Sequence, residues 1–136
     1  MKVALDTNVL ISAFVARGLS SDVFRYILAD HELVLSEKVL SEFARIMHGK
    51  FGVPKKFVSE FEHELRQHHV EPFPAEEPAF KLVRDPDDRV VLRSSIRGGA
   101  AVLVTGDRDL LDVAAKITQI QILTPRQFWE SVREGK

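Results

Sequence analysis

The sequence predicts a three-layer α/β protein, in which a central, mostly parallel sheet of four or five strands is covered by helices on both faces. Short apolar runs alternate with segments whose apolar residues recur at helical spacing. A chain of 136 residues is long enough to form one packed core. We find no internal repeat, low-complexity tract or interdomain linker, so we expect residues 1–136 to form a single domain.

Uninterrupted apolar runs predict four of the strands: Lys2–Leu5, Leu33–Leu35, Ala101–Val104 and Ile120–Leu123. A short fifth strand is expected around Val70–Phe73, in the proline-containing segment Glu71–Pro78, which is otherwise predicted to be an extended connection. Strands that alternate with helices pair in parallel, so their carboxyl ends meet at one edge of the sheet. Functional sites of open parallel sheets form at that edge.

The helices are predicted from apolar residues at steps of three and four. Their apolar faces are Val9, Leu10, Ala13 and Phe14; Val23, Phe24, Ile27 and Leu28; Val39, Leu40, Phe43, Ile46 and Met47; Phe57, Phe61 and Leu65; Val91, Leu92 and Ile96; Leu110–Ala115; and Phe128, Trp129 and Val132. The expected N-terminal residues are Ser20 or Ser21, Ser36, Pro54, Asp85 and Thr124-Pro125, while Gly49 and Gly98-Gly99 are expected to end helices.

Composition limits the chemistry. The 19 Lys and Arg residues nearly balance 20 Asp and Glu residues, so bulk electrostatic coating of nucleic acid is not expected. The absence of cysteine excludes disulfides, thiol nucleophiles, Cys-ligated zinc and iron–sulfur clusters. There is no apolar run near the 18–20 residues, roughly, that span a membrane, and Asp6 interrupts the start before a signal-peptide core could develop. We therefore expect a cytoplasmic protein that does not bind membranes.

Acidic residues follow two of the predicted strands. Asp6 comes directly after the first strand, and Asp107 follows the strand Ala101–Val104. Either residue alone could simply begin a turn or cap a helix. As a pair at the same sheet edge they favour a functional site.

Helical angles select two further acids. On a wheel of about 100° per residue with Val39 at 0°, Glu42 falls at about 300°, beside the apolar stripe. A salt bridge or a ligand aimed at a cleft would both suit that boundary position. In the run Asp85-Pro86-Asp87-Asp88, Asp88 lies at the centre of the apolar face and Asp87 points about 100° away. Asp85 and Asp87 fit a favourable interaction with the helix dipole, whereas a buried Asp88 needs a compensating partner.

Carboxylates that converge on one edge repel each other unless a cation offsets their charge. Oxygen ligands favour Mg²⁺ or Mn²⁺ over zinc. Such a centre suits hydrolysis of a phosphodiester bond.

These residues carry a resemblance to a known family. The opening Val3–Leu10, with Asp6-Thr7-Asn8, Glu42 in the third helix, the acidic run at 85–88 and Thr105-Gly106-Asp107-Arg108-Asp109 together resemble the PIN domain, and specifically the PIN-family toxins of prokaryotic toxin–antitoxin pairs. The resemblance extends from Met1 to about Leu123. It implies a PIN-like α/β/α fold.

The resemblance also implies roles for individual residues. Asp6, Glu42, Asp88 and Asp107 would be the catalytic, metal-binding acids, with Asp109 as an accessory acid, and Asn8, Ser12 and Thr105 would orient them by hydrogen bonds. It implies an endoribonuclease that cleaves single-stranded RNA with Mg²⁺ or Mn²⁺, forms a homodimer or higher homo-oligomer, and is held inactive by an antitoxin bound in a groove near the site. The adjacent Asp87 leaves the identity of the third acid open.

Basic and aromatic residues add weaker indications. Arg89, Arg93 and Arg97 recur at four-residue steps and, with Arg108, could track RNA phosphates; a solvated helix face is the competing interpretation. Phe51, Phe57 and Phe61 could belong to the core or line a partner groove. His68 and His69 are expected at the surface of a helix end.

Three alternative functions remain open from the sequence: a PIN-type nuclease of RNA processing, an inactive module that binds RNA or protein, and phosphoryl transfer through Asp6 as a nucleophile. The third fits worse, because Asn8 stands where haloacid-dehalogenase-type phosphatases need a second Asp, and a late strand lacks the lysine of response-regulator receivers.

Overall fold

The computed structural model describes residues 1–76 and 80–134. Its sheet has five strands: β1 (Lys2–Leu5), β2 (Glu32–Ser36), β3 (His69–Glu71), β4 (Val102–Val104) and β5 (Gln121–Leu123). All neighbouring strands pair in parallel, in the order β3-β2-β1-β4-β5. The predicted α/β class and parallel sheet are confirmed. Glu77 and Pro78, at the end of the predicted extended connection, lie outside the described residues.

Seven α-helices lie between and after these strands in the described part of the chain. They are α1 (Thr7–Val15), α2 (Leu19–Asp30), α3 (Glu37–Gly49), α4 (Lys55–Leu65), α5 (Pro86–Arg97), α6 (Arg108–Asp112) and α7 (Pro125–Glu134), and a 3-10 turn covers Ala114–Lys116. Helices flank the sheet. Consecutive residues of β1, β2 and β4 are buried, although neighbouring side chains point to opposite faces, so both faces of the central strands are covered.

The core forms where these strands meet the apolar faces of the helices. Its largest fully buried side chains include Phe43 of α3, Phe128 of α7 and Leu92 of α5. Phe14 of α1 joins this core through a cluster of rings that contacts Phe43 at 5.1 Å between ring centroids. Most residues of the predicted apolar faces therefore pack inward, but Leu28 of α2 and Phe57 of α4 are exposed.

The strand order places a crevice at the centre of the sheet. From β1 the chain adds β2 and β3 on one side, and it then returns to add β4 and β5 on the other. The carboxyl ends of β1 and β4 consequently form the topological switch point, where open parallel sheets bind ligands. Asp6 follows β1 there, and its backbone N–H donates to the carbonyl of Val104 at the end of β4.

Several predicted boundaries need correction. The prediction that Ser20 or Ser21 caps α2 is wrong, because α2 begins at Leu19 after Gly18, whose φ of 150° is accessible mainly to glycine. Strand β3 ends at Glu71 rather than extending to Phe73, since the prolines that follow cannot donate to the ladder. The helix predicted over Leu110–Ala115 begins earlier, at Arg108, and breaks into α6 and the 3-10 turn.

The predicted starts of four helices are confirmed, because Ser36, Pro54 and Asp85 are the N-caps of α3, α4 and α5, and α7 begins at Pro125. Gly49 and Gly98 lie at the ends of α3 and α5, as expected. Side-chain hydrogen bonds stabilise two of these starts. The hydroxyl of Ser36 accepts a hydrogen bond from the N–H of Val39, and Thr124 and Gln127 exchange two hydrogen bonds at the start of α7.

The sequence also predicts which aromatic and histidine side chains are buried, and the outcomes of these predictions differ. Phe61 packs against the core, whereas Phe51 and Phe57 are exposed. His69, expected at the surface of a helix end, is half-buried in β3, where its Nε2 lies 2.6 Å from Oε2 of Glu71. Among the described residues, no helix combines the length and apolar character needed to cross a membrane.

Candidate metal centre

Asp6 stands at the point where β1 passes into α1. It is the N-cap of α1, and its Oδ1 accepts a hydrogen bond of 2.8 Å from the N–H of Thr7. Its Oδ2 accepts one of 2.6 Å from the hydroxyl of Thr105, which follows β4. The carboxylate is buried, yet both of its oxygens have a donor, so its orientation is fixed from two strands.

Asp107 stands three residues beyond β4 and caps α6. Its backbone N–H donates to the hydroxyl of Thr105 at 3.0 Å, and its Oδ1 accepts from the N–H of Asp109 at 2.8 Å. The hydroxyl of Thr105 therefore connects the two acids by donating to Asp6 and accepting from Asp107. The role of Thr105 in orienting metal ligands stays a prediction, with which these two hydrogen bonds are compatible.

Asp88 lies in the first turn of α5, whose N-cap is Asp85. It is only 7% exposed, whereas the side chain of Asp87 is 59% exposed and forms an ion pair with Lys38. The helix thus turns Asp88 inward and Asp87 outward, as the helical angles predict. Of the two acids, Asp88 is the one that joins the other site carboxylates.

The three aspartates form a compact cluster. One carboxylate oxygen from each of Asp6, Asp88 and Asp107 lies within 4.8 Å of the other two. Burial raises the pKa of Asp88 to about 7, and the charges of Asp107 and Asp6 add to the rise. Burial also raises the pKa of Asp6, against the opposing effect of its hydrogen bonds from Thr105 and Thr7. The cluster is electrostatically unfavourable without a compensating cation.

A divalent cation fits this arrangement. Oδ2 of Asp88 is buried, and no donor among the described residues reaches it. A buried carboxylate oxygen without a donor is costly, and a metal ion would satisfy it. Three carboxylates offer only hard oxygen ligands, which suit Mg²⁺ or Mn²⁺.

Glu42 lies beside the cluster, and its carboxylate is not one of the three that converge within 4.8 Å. Its Oε1 accepts a hydrogen bond of 3.0 Å from the hydroxyl of Thr7, the residue whose N–H holds Asp6. Burial raises the pKa of the Glu42 carboxyl, while Thr7 and Lys38 act in the opposite direction. Glu42 is thus connected to Asp6 through Thr7.

The other residues expected at the site are placed less centrally. Asp109 lies outside the three-aspartate cluster of the described chain, and its Oδ1 accepts from Arg84 at 2.9 Å. Asn8 and Ser12 are exposed on α1. The roles predicted for them in the site stay predictions.

The four arginines differ in exposure and in their contacts. Arg89 turns back onto the segment that precedes α5, where its Nε donates to the carbonyl of Val83 at 2.6 Å. Arg93 is half-buried and Arg97 is exposed at the end of α5, about 13 Å along the helix axis from Asp88. Arg108 is exposed next to Asp107. The expected basic stripe therefore runs away from the acidic cluster along α5.

Three polar residues of the site escaped the sequence reasoning. Thr7 is buried and contacts both Asp6 and Glu42, and its position inside Asp6-Thr7-Asn8 was the available signal. Lys38 precedes Glu42 by four residues, the spacing at which opposite charges share a helix face. Arg84 gave no signal, because its pairing with Asp109 depends on the path of the loop before α5.

Comparison with known proteins identifies the family. A family model described as PIN domain matches residues 2–109, which include all three clustered aspartates and Glu42. The chain belongs to the PIN domain family. The suspected resemblance is confirmed, and no curated protein matches this PIN domain with significance.

Solved structures share the PIN domain's fold at low sequence identity. VapBC2 of Rickettsia felis, solved with a DNA fragment of its promoter, aligns with a TM-score of 0.62 and 17% identity over 90% of this chain and 97% of that one. VapC20 of Mycobacterium tuberculosis, described as a toxin that cleaves the sarcin–ricin loop, gives 0.59 and 13% over 88% and 98%. A domain of a functionally unknown protein from Methanocaldococcus jannaschii gives 0.53 and 20% over 90% and 89%.

Proposed function

We propose that this PIN domain is a metal-dependent endoribonuclease that hydrolyses phosphodiester bonds of single-stranded RNA. The observation that carries the proposal is the cluster of Asp6, Asp88 and Asp107 within 4.8 Å at the switch point of the sheet. The buried Oδ2 of Asp88, which no described donor reaches, supports a bound cation there. Membership of the PIN family supports a nuclease over other phosphoryl-transfer enzymes.

The residues divide into ligands and groups that hold them. Asp6, Asp88 and Asp107 would bind Mg²⁺ or Mn²⁺, with Glu42 completing the acidic set and Asp109 as an accessory acid. A divalent ion held by these acids would supply Lewis-acid polarisation of a phosphoryl oxygen and would make a water molecule more acidic. Thr105 and Thr7 keep the carboxylates of Asp6 and Glu42 in fixed orientations, which a metal site requires of its supporting groups. Asn8 and Ser12 would support the rim of the site from α1.

RNA would be held by cations outside the acidic cluster. The exposed Arg108 is nearest in sequence to Asp107, and Arg93 and Arg97 extend along α5 from Asp88. Arg89 would contribute its charge while anchored to the carbonyl of Val83. Such contacts recognise the phosphate backbone without base specificity.

We further propose that the enzyme acts as the toxin of a toxin–antitoxin pair in the cytoplasm. The shared fold with VapBC2 and VapC20 supports this role. A cognate antitoxin would bind in a groove near the site, and the toxin would form a homodimer or higher homo-oligomer. A PIN nuclease of RNA processing is the alternative, and a small open reading frame beside the gene would favour the toxin.

The experiment is cleavage of a fluorescently labelled single-stranded RNA by purified protein with Mg²⁺ or Mn²⁺, and with EDTA. We expect cleavage to require metal and to be lost in Asp6→Asn and Asp88→Asn. Asp30→Asn is the matched control, because Asp30 is exposed at the end of α2. It should cleave like the wild type.

Two results would contradict the proposal. Equal cleavage by Asp6→Asn and wild type would indicate a contaminating nuclease. Binding of RNA without cleavage under every metal condition would favour the inactive binding module.

A further inference from the structure

Lys38 connects the two helices that carry Glu42 and Asp88. Its Nζ lies 2.9 Å from Oδ1 of Asp87, the residue before Asp88 in α5. Lys38 is in the first turn of α3, four residues before Glu42, so the two share a helix face about 6 Å apart along the axis. This ion pair therefore reaches from the turn below Glu42 to the turn that holds Asp88.

Both ends of the Lys38–Asp87 pair are restrained. The side chain of Lys38 is 22% exposed, which limits its freedom, although that of Asp87 is 59% exposed. The N–H of Asp87 donates to Oδ1 of Asp85, the N-cap of α5, so the backbone that bears Asp87 is fixed. The pair can thus transmit a constraint from α3 to the first turn of α5.

The acidic centre needs such a constraint. Asp88 lies close to two other carboxylates whose negative charges repel its own, and Glu42 lies beside them. Repulsion would push the first turn of α5, which bears Asp88, away from Asp6 and Asp107 at the ends of β1 and β4. The ion pair between Lys38 of α3 and Asp87 of α5 opposes that movement, because it attracts the first turn of α5 to α3.

We propose that Lys38 is a positioning residue, which through its ion pair with Asp87 braces α3 against α5 and so sets the place of Glu42 relative to the three aspartates. The inference rests on the proposed metal-dependent function. It assigns to Lys38 no contact with substrate. Its consequence is that the affinity of the centre for a divalent cation depends on Lys38.

The direction in which Lys38→Ala changes Mn²⁺ affinity distinguishes a positioning role of Lys38 from a purely electrostatic one. A positive charge near a metal centre repels the cation, so by electrostatics alone Lys38→Ala would tighten the binding of Mn²⁺. Loss of a brace acts oppositely, because the ligands lose their fixed spacing. We expect Lys38→Ala to weaken Mn²⁺ binding about tenfold, as removal of other supporting groups in metal sites does.

The experiment is titration calorimetry of Mn²⁺ into metal-free protein, with circular dichroism to verify folding. Asp87→Asn should weaken Mn²⁺ binding like Lys38→Ala, and the double variant should lose no more than either single variant. Lys38→Arg, which keeps the charge and the reach, should retain most of the wild-type affinity.

Arg66→Ala provides the matched control. Arg66 of α4 makes hydrogen bonds of 2.7 and 2.8 Å with both carboxylate oxygens of Glu37, the neighbour of Lys38 on α3. Since α4 carries none of the clustered acids, Arg66→Ala should lower the melting temperature without changing Mn²⁺ affinity. An equal loss of Mn²⁺ affinity in Arg66→Ala would mean that Lys38 affects the metal centre only through the general stability of the fold.

The outcomes keep the two proposals apart. Mn²⁺ binding and cleavage by the wild type, with unchanged or tighter binding in Lys38→Ala, overturns the inference about Lys38 alone. A wild type that binds no Mn²⁺ and cleaves no RNA overturns the proposed function and the inference together.

Discussion

The hydroxyl of Thr105 donates to Oδ2 of Asp6 at 2.6 Å and accepts from the N–H of Asp107 at 3.0 Å. A single fully buried oxygen thus links two acids that are separated by about a hundred positions along the chain. Because Thr105 continues β4 while Asp6 continues β1, this link joins the carboxyl ends of the two paired strands. It also leaves the acids little freedom to move apart.

Thr105→Val tests this link. Valine keeps the shape but removes the donor to Asp6 and the acceptor for Asp107, so a buried carboxylate and a partly buried N–H each lose a partner. We expect the free energy of unfolding to fall by about 1–3 kcal/mol, measured by urea denaturation of the metal-free protein. Thr105→Ser, which keeps the hydroxyl, should recover most of the loss. Equal stability of Thr105→Val and wild type would mean that other donors replace the hydroxyl.

The titration of Asp88 predicts how stability changes with pH. Its pKa is raised to about 7 in the folded protein, against about 3.9 for an unperturbed Asp. Between these two pKa values the folded state retains the proton of Asp88 while the unfolded chain releases it. The stabilisation that results from this stronger proton binding is fully present below about pH 4 and is lost as the pH rises toward 7. Without metal, the free energy of unfolding should fall across this window.

Asp88→Asn should remove part of this dependence. Asparagine carries no charge, so in EDTA the variant should melt higher than the wild type at pH 8 and near it at about pH 4. Added Mg²⁺ should raise the melting temperature of the wild type at pH 8 and leave that of Asp88→Asn nearly unchanged. A variant that melts below the wild type at pH 8 would indicate that the carboxylate of Asp88 is satisfied without a metal.

Much of this architecture was accessible from the sequence, for identifiable reasons. Strands β1 and β4 are buried on both faces, which makes them continuous apolar runs that periodicity detects. The inward position of Asp88 followed from its angle relative to Val91 and Leu92, because α5 is a regular helix. The family motif added the order of the acids.

The features that were missed depend on tertiary geometry. The start of α2 at Leu19 is set by the conformation of Gly18. Ser20 and Ser21 misdirected the prediction, because serine is a favourable N-cap residue. The pairs Lys38–Asp87 and Arg84–Asp109 join segments far apart in the chain, and no local pattern specifies such partners. The anchoring of Arg89 was likewise not predictable, because its acceptors are the carbonyls of Val83 and Arg84 in the irregular segment before α5; the role of the four arginines in RNA binding stays a prediction.

Asp109 offers a test of which late acid matters. Its Oδ1 accepts from Arg84, whereas Asp107 belongs to the cluster within 4.8 Å. We expect Asp107→Asn to abolish metal-dependent cleavage of RNA and Asp109→Asn to reduce it by about tenfold or less, as for a residue that supports a site from outside. Initial rates at saturating Mn²⁺ would measure both. An equal loss of cleavage rate in the two variants would indicate that Asp109 binds the metal directly.

The close packing of α5 on the sheet makes Gly98 intolerant of a side chain. Its φ of −73° is ordinary for any residue, but a Cβ there would lie 2.6 Å from Cγ1 of Val34 and 3.3 Å from the carbonyl oxygen of Ser94. We expect Gly98→Ala to lower the free energy of unfolding by about 1–3 kcal/mol, the usual cost of overpacking. Urea denaturation would measure it.

Two variants determine whether this contact is the cause. Gly49→Ala, at the end of α3, places its Cβ where nothing lies within 4 Å, so it should leave stability unchanged or raise it by up to about 1 kcal/mol. Val34→Ala removes the atom that Gly98→Ala would strike, so the double variant should lose less than the sum of the two single losses. If the losses of stability in the two single variants add exactly in the double variant, the contact with Val34 is not the source of the strain, because only a shared contact couples the two positions.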